Sequence, residues 1–258
     1  MTYHTIKFVI LICFFFQSHC FSQKQWDYSV NNIKIKKLCS TSPNPKGLIL
    51  VLPGWNHSAS LVCEKTDFCK QATEKGYTLI LPEIKKSIYA DSLYPETASW
   101  LKQEITFSWI TNHLLPWIQK QTFYNPSKNN FIVGISTGGR GSAKIMLHLP
   151  DFFQKAYSLS GDFIPDIQPN DPLMNAGLGS ISKFPSRWKQ ENLSLKTTLL
   201  QKPLILYHGG KDKIVPVQQS KTFYEKDQSG KIVLRIDPSA GHDFLFWKQC
   251  LTKILEEN

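Results

Sequence analysis

The chain predicts an α/β fold, a mostly parallel central sheet flanked by helices, and three observations carry that expectation. Apolar runs of strand length recur along its 258 residues, several of them followed by a loop and a stretch of helical pattern. One run leads straight into a serine framed by glycines. Two later runs end in loops that carry an acid and a histidine, where parallel sheets present functional groups.

The elements follow in order. Lys7 precedes nine apolar residues, 8–16, and then Gln17-Ser18-His19-Cys20-Phe21-Ser22. That apolar run is about half the ~20 residues a membrane span needs, and Cys20 and Ser22 are small residues ahead of a cut after Ser22. Residues 1–22 are therefore expected to be a signal peptide. The product would be exported, to a periplasm or to the medium, with no stable membrane span after cleavage. Residues 23–258 are expected to form one domain, because 41% hydrophobic content suffices for one sizeable core.

Residues 28–38 alternate like an edge strand and 41–47 read as a turn. Leu48-Ile49-Leu50-Val51-Leu52 is apolar throughout, as in a strand covered on both faces, and the loop Pro53-Gly54-Trp55-Asn56-His57-Ser58 follows it. Residues 64–75 predict a helix ending at Gly76, and 77–82 the next strand. A long amphipathic pattern covers 97–120, with Pro116 placed to bend it. The runs 131–133, 155–159, 203–208 and 231–236 predict four more strands, and 248–256 a closing helix. Between them, 162–202 holds Pro165, Pro169, Pro172, Pro185, Gly177 and Gly179 with no steady period. A loop that long in a compact domain is usually functional, so a lid-like or substrate-binding insertion overhanging Ser136 is expected.

The chemistry centres on Gly134-Ile135-Ser136-Thr137-Gly138. A strand, a serine at a sharp bend and a helix form a nucleophile elbow, in which side chains two residues to either side would collide. A neutral hydroxyl is a poor nucleophile and needs a base to take its proton. His242, in Ser239-Ala240-Gly241-His242-Asp243, is the candidate base. Asp212, after Pro203-Leu204-Ile205-Leu206-Tyr207-His208-Gly209-Gly210-Lys211, is the candidate acid that fixes the imidazole, with Asp162 the alternative. His208 reads as a packed or supporting histidine. Thr137 opens the helix and offers a backbone N–H to an oxyanion. Asn56 and Trp188 are candidates for contact with substrate.

These residues resemble the α/β-hydrolase superfamily, and within it the esterase D-like and prolyl-oligopeptidase-like serine esterases. The resemblance runs over about residues 45–256 and rests on the 134–139 elbow, on His-Gly-Gly-Lys-Asp-Lys-Ile-Val-Pro at 208–216 and on Gly241-His242-Asp243. It implies a serine hydrolase that cleaves a carboxylic ester through an acyl-enzyme, with no metal and no organic cofactor. By likeness to the family's His-Gly-x turn, the N–H of Trp55 is the second oxyanion donor, although Pro53 stands where histidine is common. A serine peptidase or an acyltransferase would use the same residues. A non-catalytic envelope-binding protein of this fold is the alternative outside enzyme chemistry.

The expected partner is a small-molecule or envelope-derived ester. The net charge of +10 favours anionic surroundings, but the lysines gather only at 34–37 and 85–86, and no nucleic-acid motif accompanies them. Loss of the leader leaves Cys39, Cys63, Cys69 and Cys250, which allow three complete pairings in an oxidising compartment. Cys63 with Cys69 is excluded if both lie in one regular helix, because six residues rise about 9 Å. The cysteine and histidine spacings match no zinc site.

Overall fold

A computed structural model describes residues 28–101 and 106–258. The leader expected at 1–22 lies outside the described residues.

Eight strands form one sheet: β1 (Tyr28–Val30), β2 (Ile33–Leu38), β3 (Gly47–Leu52), β4 (Tyr77–Pro82), β5 (Phe131–Ile135), β6 (Lys155–Leu159), β7 (Leu204–Gly209) and β8 (Ile232–Asp237). Their order is β1-β2-β4-β3-β5-β6-β7-β8. The pairs β1/β2 and β2/β4 are antiparallel, and all others are parallel. Since side chains alternate along a strand, the unbroken apolar run in β3 feeds two cores at once. Leu48, Leu50 and Leu52 pack on one face with Ile132, Ala156, Leu204 and Leu206. Ile49 and Val51 pack on the other with Val133, Leu159 and Ile205. Each such fully buried aliphatic side chain contributes about 2 kcal/mol.

Helices cover both faces. On the second face lie α1 (Leu61–Lys65) and α2 (Phe68–Glu74), which bury Val62, Phe68 and Ala72. The first face receives α3 (Thr106–Trp109), a π-helical turn at Ile110–Leu114 and α4 (Leu115–Gln119). It also receives α5 (Thr137–His148), through Ala143, Ile145 and Met146. Further on come α6 (Pro172–Leu178), α7 (Pro185–Glu191) and α8 (Gln218–Glu225), which buries Phe223. The closing α9 (Phe244–Glu256) returns to the second face with Phe246, Leu251 and Ile254.

Four expectations are refined. The segment 28–38 is a hairpin, because Asn31 and Asn32 both adopt positive φ (44° and 66°), as a tight turn between twisted strands requires. The helix expected over 64–75 breaks at Thr66, whose backbone is extended (φ −144°, ψ 163°). That break brings the Cα atoms of Cys63 and Cys69 to 5.2 Å, and the two form a disulfide. The bar to that pairing assumed one regular helix, and the break removes it. Ahead of Pro116 the helix widens to a π turn, which accommodates a ring that would crowd the carbonyl one turn back.

The stretch 162–202 is built of short helices and 3-10 turns. Two of its prolines, Pro172 and Pro185, are the first residues of α6 and α7, where a missing N–H costs nothing. Elements of one or two turns are too short to impress a period on the sequence.

Candidate active site

Strand β5 enters the elbow and α5 leaves it. Ser136 is held between them at φ 55°, ψ −120°, a region L-residues seldom occupy and which costs on the order of 1–3 kcal/mol. Glycine makes that bend feasible. A Cβ on Gly134 would stand 1.9 Å from the Gly138 carbonyl oxygen, and one on Gly138 would stand 2.3 Å from that of Leu52. The Ser136 N–H donates to Leu159 O at 2.8 Å, which locks the bend to β6.

His242 stands in the loop between β8 and α9, and Asp212 in the loop after β7. The Ser136 hydroxyl donates to His242 Nε2 at 3.0 Å, and His242 Nδ1 donates to Asp212 Oδ2 at 2.6 Å. The other carboxylate oxygen accepts the N–H groups of Ile214 (2.9 Å) and Val215 (2.8 Å). Buried His208 lies 3.4 Å from Asp212 Oδ2 through Nε2, donates from that atom to Val215 O at 2.9 Å, and accepts the Ser220 hydroxyl on Nδ1 at 2.7 Å. It supports the acid and does not reach Ser136. Burial alone would raise the Asp212 carboxyl, but hydrogen bonds from His208 and His242 outweigh it and hold Asp212 well below the usual carboxylate range. An acid so held stays ionised and can steady an imidazolium. Asp162, the alternative, makes no such contact with His242.

A cavity of about 500 Å³ opens in front of Ser136, within the range of small-molecule sites. Trp55 and Thr137 line it. Among the described residues their backbone N–H groups donate to no protein acceptor, so both remain available to an oxyanion. The Trp55 loop is fixed on either side: Tyr89 donates its hydroxyl to Pro53 O at 2.9 Å, and Asn56 N–H donates to Lys85 O at 3.0 Å.

Two expected contacts are corrected. Asn56 is exposed and lies outside the cavity lining, and its φ of 55° makes it a turn residue. Trp188 is wholly buried, packs with Ile88, Met174 and Leu178, and donates Nε1–H to Gly179 O at 2.8 Å, so it shapes the insertion and does not face substrate.

Other residues also contribute. His57 lines the cavity, with burial and the neighbouring His242 both lowering its pKa. Asp162, Pro165, Gln168, Asp171 and Met174 bring the insertion onto the cavity wall. Behind the elbow, Arg140 and Lys144, one turn apart on α5, are almost fully buried and share Glu191 of α7 at 2.6 and 2.7 Å. Lys144 also meets Asp91 at 2.7 Å, and the Asp91 N–H donates to Glu191 Oε1. Only the i, i+4 spacing of two basic residues on a helix hinted at this cluster. Among the described residues no group of three or more His, Cys, Asp or Glu side chains is placed to hold a metal ion, and no helix is long and apolar enough to cross a membrane.

Sheet order, elbow and the hydrogen-bonded serine, histidine and aspartate define the class as α/β-hydrolase. Residues 92–255 match the Esterase family model, and the chain belongs to that family of hydrolases. Solved structures agree on the architecture. The fluorophosphonate-binding serine hydrolase F of Staphylococcus aureus superposes with a TM-score of 0.67 at 20% identity, over 87% of this chain and 91% of that one. An S-formylglutathione hydrolase from Agrobacterium tumefaciens gives 0.71 at 17% identity, over 87% and 88%. MPT51 of Mycobacterium tuberculosis gives 0.68 at 16%, over 87% and 91%. At such identities the likeness establishes the shared fold. No curated protein matches the chain by sequence.

Proposed function

We propose that this esterase works through an acyl-enzyme on Ser136, and the observation that carries the reading is the continuous hydrogen-bond chain from Ser136 through His242 to Asp212. His242 Nε2 takes the hydroxyl proton as Oγ attacks the ester carbonyl, and Asp212 stabilises the imidazolium that forms. The N–H groups of Trp55 and Thr137 receive the oxyanion, each such donor being worth about 3 kcal/mol of barrier. Collapse of the tetrahedral adduct breaks the bond to the alcohol, which leaves with the proton from His242. Water then repeats the sequence and frees the acid.

The substrate is a small-molecule ester, in keeping with a cavity of about 500 Å³. The insertion at 162–202 acts as its substrate-binding wall, contributing Asp162, Pro165, Gln168, Asp171 and Met174. Export is the matching cellular reading, supported by the leader pattern at 1–22 and by the Cys63–Cys69 disulfide, which suits an oxidising compartment. A fluorophosphonate probe tests the mechanism: it should label the wild-type protein and leave Ser136→Ala unlabelled. Failure to label the folded wild type would overturn the reading in favour of a binding protein of the same fold.

A further inference from the structure

Asp162 is a carboxylate that the protein places with care and then leaves, among the described residues, with one oxygen unpartnered. Its position is fixed on both sides. Arg140 donates to the Asp162 main-chain oxygen at 3.2 Å, and Gln219 Oε1 accepts the N–H groups of Phe163 and Ile164 at 3.0 and 2.8 Å. Gln219 Nε2 returns a hydrogen bond to Ile164 O at 3.1 Å. Yet among the described residues none donates a hydrogen bond to the carboxyl beyond its own N–H, and Oδ1 is buried with no partner at all. A buried acceptor left so costs about 1–3 kcal/mol, more when charged, and a fold able to bring Arg140 within reach of the neighbouring carbonyl has not spent that guanidinium on the acid.

The surroundings explain what would satisfy it. Asp162 lines the same cavity as Ser136. Of the other acids there, Asp171 caps α6 by accepting Met174 N–H, and Asp243 caps α9 by accepting Phe246 N–H. In a chain of net charge +10, no lysine or arginine among the described residues lines this cavity. The wall therefore carries three carboxyls, one uncommitted, against no fixed cation.

We infer that Asp162 is a specificity-determining residue that receives a primary ammonium group on the acyl or alcohol part of the ester, so that the preferred substrates are amino-bearing esters. This rests on the reading of Ser136 as nucleophile and adds the charge of the molecule it attacks. Burial pushes the Asp162 carboxyl up to about 7, only partly opposed by the Arg140 guanidinium, while Asp171 and Glu191 reinforce the rise. The acid is thus ionised above neutrality, where it meets a cation, and protonated below.

Matched esters test this. Hydrolysis of p-nitrophenyl 6-aminohexanoate is compared with the hexanoate and the 6-hydroxyhexanoate, and of 6-aminohexyl butyrate with hexyl butyrate. In one of the two series the ratio of kcat/KM, amino over neutral, should be about tenfold or more at pH 8, the lower end of what a hydrogen bond to a charged group contributes. It should fall toward one in Asp162→Asn and, in the wild type, between pH 8 and pH 6. Because kcat/KM follows the free enzyme, any pH dependence common to both esters cancels in the ratio, as does any general damage in the variant. Ratios near one in both series, a preference that survives Asp162→Asn, or equal favour for the hydroxy ester with no pH dependence would each overturn the inference. Calorimetry on Ser136→Ala keeps the two readings separable. Hexylammonium should bind tighter than hexanol at pH 8 and lose that advantage at pH 6 even if no ester is turned over; equal binding would overturn the inference.

Discussion

The charge cluster behind the elbow and the cavity in front of it each hold a carboxylate within the influence of Arg140, and they treat it in opposite ways. Glu191 receives Arg140 and Lys144 at 2.6 and 2.7 Å and the N–H of Asp91 at 2.8 Å. Burial would raise its carboxyl, but the two cations outweigh that and hold it at about 2. Asp162 has no such partners and is pushed to about 7. The same cost of burial is met inside the protein in one case and left open in the other. A satisfied buried charge fixes architecture: here it ties α7 and the Asp91 loop to the helix that carries the elbow. An unsatisfied one beside a reactive hydroxyl marks where a ligand completes the network.

The largest expected effect lies on the cavity side. Ser136→Ala should lower ester turnover by about 10⁴-fold or more with the fold intact, since removing a nucleophile that acts as a unit with its base abolishes the whole advantage. Circular dichroism alongside steady-state rates checks it. Loss of secondary structure in parallel would show that the hydroxyl serves the fold. Behind the elbow, Glu191→Ala should destabilise the protein by about 3–5 kcal/mol in urea unfolding, because it leaves buried Arg140 without its carboxylate and Lys144 with Asp91 alone. A change under 1 kcal/mol would mean that water reaches Arg140 and Lys144, and the contrast with the cavity would then fail.

The two regions also differ in how far the sequence discloses them. Strands β3, β5, β6 and β7 and the elbow were legible because their signals are local: an apolar run of the right length, or two glycines around a serine. Asp212 and His242 were legible because each follows such a run directly. The internal structure of the insertion was not. Its prolines look like breakers, yet two of them start helices, and Trp188 belongs to a small core completed by Met174 of α6 and by Ile88 from far outside the insertion. Glu191 pairs with residues 51 and 47 positions earlier, and no local pattern encodes such a partner. The Cys63–Cys69 bridge was hidden for a related reason, a helix break at Thr66 that composition alone did not signal.

The linkage of charge to folding separates the two acids most sharply. For Glu191 the folded pKa, about 2, lies below the ordinary value of 4.5, so its contribution is present above the unfolded pKa and is lost as pH falls toward 2. That difference amounts to about 3 kcal/mol, and Glu191→Gln should abolish it as well as the pair. Asp162 runs the other way. Its folded pKa, about 7, lies above the ordinary value of 3.8, so the neutral acid favours the fold below pH 3.8 and that advantage drains away as pH rises through 7. Asp162→Asn should therefore be more stable than the wild type at pH 8, by about 2 kcal/mol once the opening of the carboxyl onto the cavity is discounted, and nearly equal to it at pH 4. Urea unfolding of both proteins at the two pH values measures the effect. A variant less stable at pH 8 would mean that the ionised carboxyl has a donor in the fold, and the opposition between these two acids would disappear. A variant more stable at pH 8 yet poorer at selecting amino-bearing esters would show why the position keeps a charge: the stability given up by leaving Asp162 unpaired is recovered when substrate supplies the missing cation.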